Sequence, residues 1–341
     1  MKPKHFAVAV FLSVLLSFLS ACSSGSKENV TKLQGAGASF PAPLYLKWFK
    51  AYGAQHPNVQ VDYQSVGSGS GVKSFLDKTV DFAASDRAMT PDEITKVNGG
   101  VQLVPMTAGA VVLAYNLPDV HNLKLSREAY SGIFLGKVKK WNDPIITKDN
   151  PGAKLPDQPI NVVVRADGSG TSYVFTKHLS AISPEFQKTV GVDQAPNWPV
   201  GTKSKGNEGV TASITTTPGA IGYVEYGYAK SQDLHTASLQ NKAGNFVAAT
   251  PDSAKAALAS AQLPENMIVW VSDPDGNDSY PIVTFTWMCF YKQYTDKNKL
   301  DALKALAIYG LTDGQKDSEA LGYVPLPDSI ASKGQEAIKA L

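Results

Sequence analysis

Apolar positions divide the chain into two kinds of segment, short runs with the character of strands and longer stretches with helical spacing. The strand-like runs are apolar or alternate between apolar and polar residues, and they occupy 59–66, 80–86, 103–105 with 110–115, 160–164 and 282–291. The runs 103–105 and 110–115 are predicted to form a buried strand of the parallel type. Helical spacing is clearest where Leu44, Trp48 and Tyr52 share one helix face. Because strands alternate with helical segments, the pattern predicts an α/β fold. The polar stretch 201–209 shows neither pattern and is predicted to be flexible.

Three loops in this pattern share one design, in which small and hydroxyl-bearing residues lead into a predicted helix. They lie at 35–40, 67–71 and 165–172. A helix N-terminus carries unsatisfied N–H groups and about half a positive charge, so it binds anions readily. Arg165 adds a planar fork of charged donors at the end of its strand. The same residue types also cap ordinary helices, so a single loop leaves both interpretations open, whereas three together favour a site for a small oxyanion.

Enzymatic interpretations of these loops lack the residues they need. The loop at 67–71 has no adjacent Gly-Lys of a nucleotide-binding P-loop, and its middle residue, Gly69, does not match the nucleophile elbow of serine hydrolases. A secreted phosphatase or serine hydrolase acting through Ser68 or Ser169 would need a base, and no motif positions a histidine for that role. No cluster has metal-ligand spacing. These absences weaken the enzymatic interpretations, although a secreted phosphatase or serine hydrolase stays an alternative. The sequence predicts that the protein is not an enzyme and has no metal and no cofactor.

Composition is that of an ordinary globular protein, with 43% hydrophobic and 18% charged residues. A length of 341 residues exceeds what one hydrophobic core usually supports, so two domains are expected. The 32 basic and 30 acidic side chains leave a net charge of +2, and Lys2 and Lys4 account for that excess. A balanced charge argues against nucleic acid as a partner, so anion recognition must be local. Cys289 lies in an apolar run and is predicted to be a core residue.

The N-terminal segment has the pattern of an export signal. A basic region at 2–4 precedes an apolar run at 6–19, and the following Leu-Ser-Ala-Cys resembles a bacterial lipobox. This predicts a lipoprotein signal peptide over 1–21, lipid attachment at Cys22 and a flexible tether over 22–32. Plain secretory cleavage near the same point is the alternative. In both cases the protein is expected to work outside the cytoplasm, in the periplasm or on the outer face of the cell membrane.

Five segments carry motifs that occur in the same order in a known family. They are GAGASFPAP at 35–43, GSGSGVK at 67–73, VDFAASD at 80–86, RADGSGTS at 165–172 and PGAIGYVEY at 218–226. These motifs resemble the phosphate-binding proteins of bacterial high-affinity phosphate ABC transporters, and the match runs from about Leu33 to the C-terminus. The resemblance implies a two-lobed periplasmic-binding-protein fold of type II, with mixed sheets flanked by helices and a ligand cleft between the lobes. Lobe I would comprise 33–104 and 281–341, and lobe II would comprise 105–280.

The resemblance also implies a set of ligand residues for inorganic phosphate. They are Ser39, Phe40, Ser68, Asp86, Arg165, Ser169, Gly170 and Thr171. Phe40 and Gly170 would donate backbone N–H groups, the hydroxyls would donate O–H groups, and Asp167 would brace Arg165. Ser39 stands where the family often has threonine, and the hydroxyl is retained. The implied partners are the permease and ATPase subunits of an ABC phosphate importer, with the binding protein a monomer that contacts the membrane only through its lipid.

Asp86 is the one acidic side chain in this set, and its chemistry points to a protonated anion. Hydrogen phosphate can donate its own proton to a carboxylate, whereas sulfate at neutral pH cannot and would leave two acceptors facing each other. Asp86 is therefore predicted to select phosphate over sulfate. Proteins of this fold class also bind sulfate, molybdate and other oxyanions, so another oxyanion is the alternative ligand. A further role as an adhesin or sensor stays open.

Overall fold

The structure is a computed structural model that describes residues 30–259 and 261–341. The predicted signal peptide over 1–21, the lipid attachment at Cys22 and most of the predicted tether lie outside the described residues. The first strand begins at Thr31, where Thr31 and Lys32 pair with Val59 and Gln60. The last two residues of the predicted tether therefore belong to the sheet, because their backbone groups are already hydrogen-bonded to a neighbouring strand.

Strands and helices alternate along the described chain. The strands are β1 Thr31–Gly37, β2 Val59–Ser65, β3 Phe82–Ser85, β4 Val101–Tyr115, β5 Lys124–Leu125, β6 Asn161–Arg165, β7 Thr202–Ser204, β8 Ala220–Glu225, β9 His235–Thr236, β10 Ser238–Gln240, β11 Phe246–Val247 and β12 Val283–Tyr291. The helices are α1 Ala42–Gln55, α2 Ser68–Leu76, α3 Pro91–Thr95, α4 Arg127–Phe134, α5 Pro144–Asp149, α6 Gly170–Ile182, α7 Pro184–Thr189, α8 Gly206–Thr216, α9 Tyr226–Ser231, α10 Pro251–Leu258, α11 Lys297–Leu311 and α12 Asp328–Lys339, and 3-10 turns occupy Asp313–Asp317 and Glu319–Leu321. No helix within the described ranges has the length and apolar character needed to cross a membrane.

One mixed sheet of nine strands forms the centre of the molecule, in the order β2-β1-β3-β12-β4-β8-β6-β7, with β9 also paired to β4. Strand β4 is common to both parts of it. Residues 101–110 of β4 pair with β12, and residues 111–115 pair with β8, both antiparallel. We call β2, β1, β3, β12 and 101–110 the first half-sheet, and 111–115, β8, β6, β7 and β9 the second half-sheet. A small separate sheet has the order β11-β10-β5.

Helices cover these half-sheets with apolar faces. The predicted face of α1 is buried, with Leu44, Trp48 and Tyr52 each at most 4% exposed. Cys289 on β12 is fully buried, as predicted. Burial raises the pKa of its thiol to about 12, so the residue stays a neutral part of the core at physiological pH.

The polar stretch at 201–209 is ordered, and the prediction of flexibility was wrong. Residues Thr202–Ser204 form β7, which pairs in parallel with β6 at the edge of the sheet, and α8 begins at Gly206. The side chains of this short edge strand are largely exposed, so it needs no apolar pattern. Its order comes from backbone hydrogen bonds, which leave no signal in the composition.

Candidate functional site

The three loops of similar design meet between the two half-sheets. The loops at 35–40 and 67–71 follow β1 and β2 of the first half-sheet, and the loop at 165–172 follows β6 of the second. Two of them bond directly, because the backbone N–H of Gly69 donates to the carbonyl of Gly168 at 2.8 Å. Each loop leads into the N-terminus of a helix, so three sets of backbone N–H groups point into one region.

Ser39 and Phe40 are buried at the start of α1, and tyrosines from distant segments hold their backbone. The hydroxyl of Tyr228 donates to the carbonyl of Ser39 at 2.7 Å. The hydroxyl of Tyr323 donates to the carbonyl of Phe40 at 2.7 Å. These two hydrogen bonds fix the direction of the first loop in this closed arrangement.

Asp86 lies immediately after β3 and is 1% exposed. Its backbone N–H donates to the Ser68 hydroxyl oxygen at 3.2 Å, and its Oδ1 accepts a hydrogen bond from the Thr286 hydroxyl at 2.8 Å. Burial raises the pKa of Asp86 to about 7, while the bond from Thr286 and the positive charge of Arg165 oppose that rise. The carboxyl therefore changes its charge near neutral pH, which is unusual for an aspartate.

Arg165 is 4% exposed and held by a neighbour on its own loop. Its Nε donates to one oxygen of Asp167 at 2.8 Å and a terminal nitrogen donates to the other, which is a bidentate pair. Although burial opposes it, the guanidinium holds the pKa of Asp167 below its ordinary value. The other terminal nitrogen of Arg165 lies 3.3 Å from the Thr171 hydroxyl. The guanidinium is thus aligned beside the N-terminus of α6.

Residues 169–171 form that N-terminus. Ser169 is the N-cap of α6, because its hydroxyl oxygen accepts the backbone N–H of Ser172 at 3.0 Å. The interpretation of this serine as a helix cap is therefore correct. The O–H of the same hydroxyl is still able to donate a hydrogen bond to another group. Gly170 packs so closely against Ser68 and Asp86 that an added Cβ would lie 2.6 Å from Asp86 Oδ2. The α6 N-terminus and the Asp86 carboxyl are direct neighbours across the two half-sheets.

Asn207 was missed from the sequence, and it joins both sides of the site. Its backbone N–H and its side-chain amide donate to the Ser39 hydroxyl oxygen at 3.0 and 2.8 Å. The same amide lies 3.2 Å from the Thr171 hydroxyl oxygen, and its carbonyl accepts the backbone N–H of Glu225 at 2.9 Å. The available signal was the small-residue start of α8 at Gly206, a fourth loop of the same design as the other three.

Thr286 on β12 was also missed. Its only sequence signal is that two threonines, Thr284 and Thr286, share one face of an otherwise apolar strand. The structure therefore brings together all eight sequence-predicted ligand residues and Asp167, and adds Asn207 and Thr286 around them.

The histidines among the described residues make their contacts outside the set of predicted ligand residues. His178 is buried against Tyr130, with 2.8 Å between its Nε2 and the tyrosine hydroxyl oxygen, and His121 packs against His235. Within the described residues, no hydrogen bond joins Ser68 or Ser169 to a histidine. Those ranges also contain no group of three His, Cys, Asp or Glu side chains placed to hold a metal ion. The arrangement can bind an anion, and within the described residues no histidine lies beside Ser68 or Ser169 to act as a base.

Comparison with known proteins gives one consistent family. A family model described as a PBP superfamily domain matches residues 23–313. The chain is 40% identical to the phosphate-binding protein PstS of Pasteurella multocida, covering 96% of this chain and 94% of that protein. It is also 40% identical to PstS of Haemophilus influenzae, covering 89% and 91%.

Solved structures agree on the fold. A high affinity periplasmic phosphate-binding protein, PfluDING, bound with phosphate, superposes with a TM-score of 0.73 at 21% identity, covering 90% of this chain and 93% of that one. The phosphate binding protein from Stenotrophomonas maltophilia gives a TM-score of 0.72 at 21% identity, covering 90% and 94%. At these identities the likeness concerns the fold alone, and it confirms the expected α/β, two-lobed architecture.

Proposed function

Because the chain belongs to the PBP superfamily and, within it, to the family of PstS phosphate-binding proteins, we propose that it captures inorganic phosphate in the cleft between its lobes as the substrate-binding protein of an ABC importer. The observation that carries this function is that Arg165 and Asp86 both lie at the N-terminus of α6 and are buried. Arg165 donates to Thr171 in the first turn of this helix, and Gly170 in the same turn packs against Asp86. Donors of this kind hold a tetrahedral oxyanion, and the facing carboxyl accepts a proton from it.

The ligand groups are proposed to be Ser39, Phe40, Ser68, Asp86, Arg165, Ser169, Gly170 and Thr171. Their burial supports this assignment, since hydrogen bonds and ion pairs gain strength where water is excluded. Phe40 and Gly170 donate backbone N–H groups, and Asp167 keeps the Arg165 fork aligned.

Asp86 is proposed to choose the ligand. An ionised carboxylate accepts the P–OH proton of hydrogen phosphate, and it repels sulfate, which has no proton to offer. Since burial raises the pKa of Asp86 to about 7, this choice is expected to weaken as the pH falls and the carboxyl gains a proton of its own.

The lobes are proposed to be 33–104 with 281–341, and 105–280. The change of partner within β4 between residues 110 and 111 supports a crossing near this boundary. Closure is proposed to bring together groups of both lobes, as in the bond between Gly69 and Gly168. Small-angle scattering is expected to show compaction on addition of phosphate, and an unchanged radius of gyration would contradict closure.

Outside the cleft, the chain is proposed to be exported by the segment 1–21, to be anchored through a lipid on Cys22, and to deliver phosphate as a monomer to the permease and ATPase subunits of the importer. The leader pattern and the family membership support this. Mass spectrometry of the membrane-associated protein should find a diacylglyceryl group on Cys22. A free N-terminus there would indicate plain secretory cleavage.

The decisive experiment is calorimetric titration of the processed protein with phosphate, sulfate and molybdate. We expect saturable binding of one phosphate and much weaker binding of the other two. A preference for sulfate or molybdate would assign another oxyanion, and no binding would overturn the proposal. We propose no catalytic role, and release of product from a chromogenic phosphate ester would contradict that part.

A further inference from the structure

Two buried threonines of β12 differ in what their hydroxyls meet. Thr284 donates to the backbone carbonyl of Phe285 at 2.8 Å, which is a neutral contact within its own strand. Thr286 donates to Oδ1 of Asp86 at 2.8 Å, an ionisable group 200 residues away in sequence. Both side chains are at most 2% exposed. One of two similar residues is therefore engaged with the acidic group of the site, and the other is not.

The position of Thr286 is fixed by an irregularity in the sheet. Thr286 is opposite Thr107, but Trp287 is opposite Pro105, so Met106 is an extra residue on β4. Such bulges re-aim side chains and recur beside functional sites. Proline, which has no N–H, is tolerated in a central strand only at such a place. The backbone itself thus directs the Thr286 hydroxyl.

We propose that Thr286 is a positioning residue for ligand selectivity, whose hydroxyl occupies Asp86 Oδ1, keeps this carboxyl an acceptor, and leaves Oδ2 for the proton of the ligand. This inference rests on the proposed function and on the role of Asp86 in it. The packing of Gly170 supports these separate roles of Oδ1 and Oδ2, because it brings the α6 N-terminus against the Oδ2 side of the carboxyl.

The physical basis is the difference between the two protonation states of Asp86. A hydroxyl that donates to Oδ1 stabilises the ionised form, and it opposes the rise that burial causes in the pKa of Asp86. Without this donor the carboxyl takes up a proton at higher pH and becomes a donor itself. A protonated Asp86 can hydrogen-bond sulfate, so selectivity is lost at a higher pH than in the natural protein.

Proton linkage turns this into a measurable profile. Sulfate must bind to the protonated carboxyl, so its dissociation constant rises about tenfold for each pH unit above the pKa of Asp86. Phosphate brings its own proton and has a flatter profile. Loss of the Thr286 hydroxyl is expected to move the sulfate profile toward higher pH.

Other charged groups face Asp86 and are common to every variant. The positive charge of Arg165 lowers the pKa of Asp86, and the negative charge of Asp167 raises it. The charge of Asp86 also acts on four buried titratable groups, each with a pKa raised mainly by burial: Tyr45, Tyr63, Glu225 and Tyr323. Since these groups are unchanged by a substitution on β12, a displaced profile reports on Thr286.

The test compares Thr286→Val, which keeps the shape and removes the hydroxyl, with Thr286→Ser, which keeps the hydroxyl. Thr284→Val is the matched control on the same strand. Phosphate and sulfate dissociation constants are measured by calorimetry between about pH 5.5 and 8.5. This range of ~3 pH units spans the pKa of about 7 of Asp86. At the upper end, Thr286→Val is expected to bind sulfate about tenfold more tightly than the natural protein, while Thr286→Ser and Thr284→Val keep the natural profile.

A carbon NMR titration of the Asp86 carboxyl supplies a second readout that does not require sulfate binding. Its midpoint should move to higher pH in Thr286→Val and stay in place in Thr284→Val. Unmoved sulfate and NMR profiles in Thr286→Val, with selectivity lost in Asp86→Asn, would overturn the inference and leave the proposed function intact. Absence of phosphate binding in the natural protein would instead overturn the proposed function, while the NMR midpoint would still test the Thr286–Asp86 pairing.

Discussion

The side-chain amide and the backbone N–H of Asn207 both donate to one oxygen, the hydroxyl of Ser39, at 2.8 and 3.0 Å. Ser39 precedes α1 over the first half-sheet, and Asn207 lies in the first turn of α8 beside the second. Because both donors belong to Asn207 and the acceptor belongs to Ser39, these two hydrogen bonds form only when the two half-sheets approach each other. Both residues are buried within the site.

Asn207→Ala is expected to weaken phosphate binding about tenfold, because the side-chain amide loses its buried hydrogen bond to Ser39 in the closed form, along with its bonds to Thr171 and Glu225. The phosphate-to-sulfate ratio should not change, since Asp86 is untouched. Calorimetry with both anions measures this. Asn161→Ala is the control, because Asn161 is exposed and its side-chain amide donates to the carbonyl of Pro218. Equal phosphate affinity in both variants would show that Asn207 does not contribute to closure.

Asp86→Asn is expected to erode selectivity. An amide can donate to sulfate, so the preference for phosphate should fall by up to about 10⁴-fold. Competition calorimetry measures the ratio. Asp81→Asn is the control, because Asp81 is paired with Lys299 at 2.8 Å away from the cleft. Selectivity that survives in Asp86→Asn would remove Asp86 from the proposed role.

Arg165→Ala is expected to weaken phosphate binding by at least ~2 kcal/mol, since a buried charge-assisted donor is lost and Asp167 is left without its partner. The dissociation constant is read by calorimetry and the fold by circular dichroism. Arg127→Ala removes another arginine, one paired with Asp273 at 2.6 Å, and should leave binding unchanged. A near-normal dissociation constant for Arg165→Ala would place this residue outside the ligand site.

Gly170→Ala is expected to hold the lobes apart, because the new Cβ would lie 2.6 Å from Asp86 Oδ2. Phosphate affinity should fall at least ~10-fold by loss of the closed form, while the thermal midpoint of the ligand-free protein changes little. Gly53→Ala in α1 is the control, since its Cβ would meet only an ordinary contact at 3.7 Å. If Gly170→Ala binds phosphate normally, the glycine is not required for close approach.

Acid should destabilise the protein through His178. Burial lowers the pKa of this imidazole to about 3, so the unfolded chain takes up a proton below pH ~6.5 that the folded chain cannot bind. The unfolding free energy therefore falls by ~1.4 kcal/mol for each pH unit between those values, and this contribution is fully present only above pH ~6.5. Urea unfolding should show a shallower pH dependence in His178→Gln than in the natural protein. Equal slopes in the two proteins would contradict the assignment.

The sequence carried the parts of the site that lie in local patterns. Arg165 and the loop after it could be predicted because a strand, small residues and a helix follow one another within a short segment. Thr286 could not be predicted as part of the site, because its partner Asp86 is 200 residues away in sequence. Only the pairing of β12 with β3 brings the two residues together. Asn207 was hidden for a different reason, because it follows an edge strand whose exposed side chains carry no periodicity.

The same distinction applies to the fold. The apolar runs at 103–105 and 110–115 predicted a buried strand of the parallel type, and the predicted pairing was wrong. Strand β4 extends unbroken over 15 residues from Val101 and pairs antiparallel with both β12 and β8. Pro105 prevented the prediction of one continuous strand, because a proline usually argues against a central strand. Only the register with β12 shows that a bulge accommodates it.

Continuity of β4 through both half-sheets has a consequence for how the molecule comes apart. If the first half-sheet unfolded, residues 101–110 of β4 would lose their pairing with β12. Residues 111–115 of the same strand would then be held only by their pairing within the second half-sheet. We therefore expect each half-sheet to be weakened when the other opens its backbone amides to solvent. The two half-sheets should then unfold as one cooperative unit, with the amide protons of β4 among the slowest to exchange.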